Sequence, residues 1–110
     1  MTIRREIGNL GEEMAARYLL TQGYQIMETN FRCRSGEIDI IARKFNCYHF
    51  VEVKTRCGDD YGTPAESVTA KKQHRIMMTA KYYLTSKGIR DVPIQFDVIE
   101  IEIGMLTNCF

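Results

Sequence analysis

The chain has almost no net charge. Fifteen lysines and arginines stand against fourteen aspartates and glutamates, a balance of +1. That balance supplies no global argument for a nucleic-acid partner, so any such affinity must come from local clustering. Paired cysteine spacing is also missing. Cys33, Cys47, Cys57 and Cys109 form no C-x-x-C and have no histidine at zinc-finger distance, which predicts free thiols in a reducing compartment. No apolar run approaches membrane-spanning length, and the opening MTIRREIGNLGEE is charged and amphipathic, without the apolar core of a signal peptide. A cytoplasmic protein with no membrane attachment is expected. There are no repeats, linkers or low-complexity segments. The 110 residues, 45% of them hydrophobic, are enough for one domain with its own core, drawn from about residues 5–103.

The elements follow from periodicity. Arg4 to Gln22 reads as a helix in which Ile7, Leu10, Met14 and Tyr18 make an apolar stripe, with Gly23 as its C-terminal stop. Gly8, Glu12, Ala15 and Leu19 fall in line at the stripe's margin, where small residues permit close approach of another segment. Tyr24 to Arg32 reads as a strand, and Ser35-Gly36 as a turn. Two strands joined by a turn over Arg43 to Asn46 come next. Phe45 and Tyr48 are expected to pack at that turn, the alternative being an aromatic near two basic residues that stacks on a base. Gly58, Asp59, Asp60 and Gly62 predict a loop, and Thr63-Pro64-Ala65-Glu66 has the form of a capping box. A long helix from about Thr69 to Lys87 follows, stopped by Gly88. Val92 to Ile103 reads as a final strand with apolar groups on both faces, hence covered on both sides. The order helix, three strands, helix, strand predicts a single α/β domain, a central mixed β-sheet flanked by helices.

The stretch from Ser35 to Arg56 holds charges where a core strand would not. Strand side chains alternate, so Tyr48, Phe50, Glu52 and Lys54 share one face. Asp39 sits between Ile38 and Ile40 in the preceding strand, so an acid in one strand faces an acid and a lysine in the next. Burying unpaired carboxylates is costly, and a divalent cation is one partner that offsets the cost. Mg2+ takes one or two carboxylates with water and phosphate, and the carbonyl of Val53 is a further oxygen of the right kind. A lysine beside such an ion can orient or deprotonate water. The alternative is a structural ion pair of Lys54 with Glu52 or Asp39 within the sheet.

These residues carry a resemblance. Asp39 followed thirteen residues on by Glu52-x-Lys54 is similar to the PD-(D/E)xK nuclease motif. Gly8-x-x-Gly11-Glu12, Gly36-Glu37-Ile38-Asp39, Phe50-Val51-Glu52-Val53-Lys54-x-Arg56 and Phe96-Asp97-Val98 resemble the YraN-like family of small bacterial predicted endonucleases, related to archaeal Holliday-junction resolvases. The proline of the superfamily's name is absent, since Ile38 precedes Asp39. The resemblance implies a restriction-endonuclease-like fold and a third acid, Glu12, at the metal site.

The expected function is therefore metal-dependent hydrolysis of phosphodiester bonds in DNA, with branched or junction DNA as one substrate class. Asp39, Glu52 and Lys54 are the expected catalytic residues. Glu12, Asp39, Glu52 and Val53 are the expected ligands of Mg2+ or Mn2+. Arg56, Lys72 and Gln73 are expected to grip phosphates, the last two because helix N-termini favour anions. Asp97 is expected to cap the site, to pair with an arginine such as Arg56, or to face an edge. Junction cleavage needs two active sites and would imply a homodimer. Two other classes fit the same pattern: a nucleic-acid-binding module without catalysis, and an interaction protein whose acids and lysine only stabilise the sheet.

Overall fold

The computed structural model describes residues 2–58 and 68–110. The expected loop acids Asp59 and Asp60 and the Thr63–Glu66 capping box lie outside the described residues. The described residues form six elements: α1 (Ile3–Thr21), β1 (Gln25–Cys33), β2 (Gly36–Lys44), β3 (Cys47–Cys57), α2 (Ala70–Ser86) and β4 (Ile94–Ile103). Both helices open on a threonine whose hydroxyl accepts a backbone N–H, Thr2 from Arg5 and Thr69 from Lys72. Gly23, the expected stop of α1, adopts a φ of +88°, a conformation that glycine enters without penalty.

The sheet has the order β1-β2-β3-β4, antiparallel as far as β3 and parallel between β3 and β4. This is the expected α/β domain with a mixed sheet, consistent with a restriction-endonuclease-like fold. Alternation along β3 divides the core into two layers. Tyr48 and Phe50 pack with Ile38 and Ile41 beneath Ile76, Ala80 and Tyr83 of α2. Val51 packs with Ile40 and Ala42 beneath Ala15 and Leu19 of α1.

Three expectations are corrected. The buried stripe of α1 is Gly11, Ala15 and Leu19, while Leu10, Met14 and Tyr18 stay exposed. At the Gly11 end the helix lies so close to β3 that no side chain fits between them, whereas Leu19 packs into the core further along. The contact point is Gly11 rather than Gly8, which has nothing near it. Secondly, β4 is an edge strand, and Ile94, Phe96 and Val98 are exposed. Thirdly, Phe45 does not pack. It is 93% exposed, because the β2–β3 turn places Phe45 and Asn46 at positive φ and turns the ring outward, while Tyr48 is buried as expected.

A Cβ at Gly11 would stand 1.8 Å from Thr55 Oγ1 and 3.0 Å from Thr55 Cβ. Overpacking of this kind costs about 1–3 kcal/mol, against roughly 1 kcal/mol of helix propensity gained by alanine. Gly11→Ala is therefore expected to lower the thermal midpoint by several degrees, measured by circular dichroism. The same change in a Thr55→Ala background should be nearly neutral, because Oγ1 and Cγ2 are gone and the Cβ left at 3.0 Å offsets the gain in helix propensity.

Candidate active site

Asp39 lies where the β2–β3 hairpin comes apart. The ladder pairs Lys44 with Cys47 and runs to Ile40 opposite Val51, then stops one step short of Asp39 and Glu52. In place of the next backbone bond, the Val53 N–H donates to Asp39 Oδ2 at 2.8 Å. The alternation of β2 slips at the same position, since Ile38 belongs to the α2 layer and Ile40 to the α1 layer. The carboxylate of Asp39 is thus directed along the sheet, into the gap opened by the separating strands.

Glu52 is on the far side of this gap and faces the α2 layer. It is buried to 7% exposure, and its Oε1 has no hydrogen-bond partner among the described residues. Its other oxygen, Oε2, lies 3.7 Å from Lys72 Nζ. Burial, and then the neighbouring Asp39 carboxylate, push the Glu52 carboxyl up to about 7, although Lys72 and Lys54 act in the opposite direction. Lys54, two residues along the same face, is pushed below the usual ammonium range by burial and by the proximity of Lys72.

Glu12 reaches the cluster from α1. Burial, and then the nearby Asp39 and Glu37 carboxylates, raise its carboxyl above the ordinary carboxylate range, while Asn30 acts in the opposite direction. Gly11, the closest approach of α1 to β3, is what brings the neighbouring Glu12 over the sheet. Asp39 is thus touched by an acid from each side. Among the described residues, no three histidine, cysteine, aspartate or glutamate side chains gather tightly enough to form a metal cage by themselves. Asp39 and Glu52 nevertheless fit a hard cation completed by water and phosphate, because such ions take one or two protein carboxylates and Glu52 Oε1 is a buried oxygen still lacking a partner.

A groove of about 330 Å³ opens beside the two acids. Glu37, Asp39 and Glu52 line it on the sheet side, and Lys71, Lys72 and Arg75 on the α2 side. One wall can coordinate a cation, and the facing wall can hold a phosphate.

Not every expected residue converges here. Lys72 is at the centre of the site, closer to the acids than a helix-end phosphate contact requires. Gln73 is exposed and donates from Nε2 to the Val68 carbonyl at 3.1 Å, closing the helix N-terminus. Arg56 is paired with Glu100 at 2.9 Å, its side chain only 16% exposed. The Val53 amide is taken by Asp39. Asp97 is not paired with Arg56. Its Oδ2 is 2.7 Å from Nδ1 of the buried His49, on the α1 side of the sheet. Sequence reasoning assigned no part in the groove to Lys71 and Arg75. Their spacing with Lys72 along one helical face was the signal that could have found them.

The chain matches the model of the uncharacterised protein family UPF0102 over residues 11–101. It is 53% identical over 97 residues to a UPF0102 protein of Clostridium perfringens, covering 88% of this chain and 80% of that one. A UPF0102 protein of Symbiobacterium thermophilum is 50% identical over 100 residues, 91% of this chain and 85% of its own. One from Hahella chejuensis is 47% identical over 94 residues, 86% and 76% respectively.

The raised carboxyl of Glu52 fixes the sign of a pH dependence. Its ordinary value is 4.5 and its folded value about 7, so between these the unfolded chain gives up the proton first and stability falls as pH rises. Glu52→Gln removes the ionisation and keeps the volume. In metal-free buffer it is expected to be more stable than the parent by on the order of 2 kcal/mol at pH 8, and by little at pH 4.5. Denaturant unfolding of both proteins at the two pH values measures the difference.

Proposed function

The chain belongs to the uncharacterised family UPF0102, and we propose that this member is a metal-dependent nuclease hydrolysing phosphodiester bonds of DNA. The observation that carries the reading is the meeting of Asp39, Glu52, Lys54 and Lys72 at the point where the hairpin separates. The spacing of Asp39 from Glu52-x-Lys54 supports it further, as the pattern of PD-(D/E)xK nucleases. Branched DNA, cut by a homodimer with two such sites, is the substrate class suggested by the YraN-like resemblance.

In this reading Asp39 and Glu52 hold Mg2+ or Mn2+, with the Val53 carbonyl and Glu12 completing or orienting the set. When bound, the cation polarises the phosphoryl oxygen and makes coordinated water a better nucleophile. Lys54 orients the attacking water. Burial and Lys72 hold its ammonium below the usual range, a direction that favours proton transfer at Nζ. Lys72 balances Glu52 until substrate arrives and then takes a phosphate oxygen, helped by Lys71 and Arg75 on the same wall. Glu12 holds Asp39 in place from the α1 side.

A second reading is a nucleic-acid-binding module without catalysis. It needs only the cationic wall of Lys71, Lys72 and Arg75. The two readings separate in one experiment. The nuclease hydrolyses labelled single-stranded, flap or four-way DNA with Mg2+, and Lys54→Ala and Glu52→Gln each lower the rate by about a hundredfold or more while leaving the circular dichroism spectrum unchanged. A binding module retains salt-dependent affinity, and parent and Lys54→Ala are equally inert on every substrate. Calorimetric titration with Mn2+ reports the metal directly: heat is expected from the parent and is lost in Asp39→Asn.

A further inference from the structure

The groove beside Asp39 is not the only opening that Glu52 borders. A second cavity, of about 460 Å³, lies on the other side of Glu52 and shares Ile76 with the first. Its character is different. Phe50, Ile76, Met77, Phe96 and Val98 make it predominantly apolar, with Glu52, Gln73 and Asp97 as the polar groups in its wall. Phe96 is 44% exposed on the edge strand and lies on the buried Phe50 with ring centroids 5.6 Å apart and an angle of 29° between planes. One ring is therefore fixed by the core and supports the other, which turns a flat face outward. The Gln73 amide is held by its donation to the Val68 carbonyl, so it presents a pre-set polar edge rather than a mobile one.

We infer that this cavity receives an unstacked nucleobase, held on Phe96, of the same strand whose phosphate lies in the adjoining groove. The inference rests on the nucleic-acid reading of that groove and adds the substrate class: single-stranded or locally unpaired nucleic acid, not a continuous duplex. Continuity decides the occupant. An apolar chamber that opens beside a cationic wall and a pair of acids matches a nucleotide, with its charged phosphate and its flat, weakly polar base. A volume of 460 Å³ is within the range of small-ligand sites. Stacking on an aromatic ring tolerates any base, and one edge amide adds little sequence preference. A base inside a duplex cannot enter without leaving its stack, which selects for unpaired DNA.

The test uses the full chain in metal-free buffer, so that binding is read without cleavage. The probes are labelled oligothymidylate and a continuous duplex of the same length. Phe96→Ala is expected to weaken oligothymidylate binding about tenfold and to leave duplex binding unchanged. The chain contains no tryptophan, so Phe96→Trp carries the sole indole, and its fluorescence should be quenched by oligothymidylate and not by the duplex. Unchanged single-strand affinity in Phe96→Ala, or no quenching in Phe96→Trp that still binds, overturns the inference. So does a parent dimer in sedimentation that Phe96→Ala dissociates without loss of single-strand affinity, because a second copy would then cover the face. Failure of the nuclease reading looks different. Phe96-dependent binding with no hydrolysis in Mg2+ keeps the base site and removes the catalysis. Hydrolysis of unpaired DNA indifferent to Phe96 keeps the catalysis and removes the base site.

Discussion

A single hydrogen bond, from the Val53 amide to the carboxylate of Asp39, determines where two adjacent strands stop being a sheet. Up to Ile40 and Val51 the hairpin is an ordinary ladder in which each amide finds a carbonyl. Beyond it a side chain substitutes for backbone. The amide is still satisfied, as a buried N–H requires, but the strands are free to diverge. Divergence is what gives the acids a shared opening and not two opposite faces of a flat sheet. The slip in alternation between Ile38 and Ile40 belongs to the same event, since each neighbour of Asp39 anchors in a different layer. Asp39 can therefore turn neither way and remains in the plane between them.

The electrostatics follow from that placement. An in-plane Asp39 meets Glu12 from one layer and Glu52 from the other, and both carboxyls rise above their ordinary range. Two lysines, Lys54 and Lys72, bring countercharge, yet one Glu52 oxygen stays buried without a hydrogen-bond partner among the described residues. Such a group lowers stability unless something completes it. Burial and the neighbouring Lys72 hold the Lys54 ammonium below its usual range, so the cluster is unrelaxed on its cationic side as well. An arrangement serving stability alone would lose little if these groups were replaced by apolar ones. That makes the purely structural account of the acids and lysine the weakest of the three.

Much of this architecture could be read from the chain, and the failures share a cause. Period-two alternation placed Glu52 and Lys54 on one face of β3, and the Gly-bounded helices were found near their observed ends, because both signals are local. What escaped depended on distances between elements. The larger apolar residues of α1 looked like its packing face, but the helix lies too close to β3 for anything bulkier than Gly11 at the contact. The apolar faces of β4 looked like a covered strand, but periodicity carries no information about which strand is at an edge. Lys72 was expected to grip phosphate and not to pair with Glu52, since nothing in the sequence says that the first turn of α2 hangs over the end of β3. Asp97 illustrates the same limit. Its partner His49 is 48 positions away and was brought within reach only by the parallel pairing of β3 with β4.

The near-zero net charge conceals a segregated local field. Averaged over the chain it argues against a polyanionic partner, but averages matter only beyond a Debye length, roughly 8–10 Å at moderate salt. Inside the groove the charges are segregated: cations on the wall supplied by α2, anions on the wall supplied by β2 and β3. A phosphodiester entering such a space is drawn to one wall and repelled by the other until the acids are neutralised by proton or cation. The raised carboxyl of Glu52 sets the proton as the competitor near neutrality, and Lys72 supplies attraction at the contact itself. Affinity in such a chain would be short-ranged and conditional, which suits a protein that must handle a particular distorted or unpaired segment without adhering to every duplex it meets.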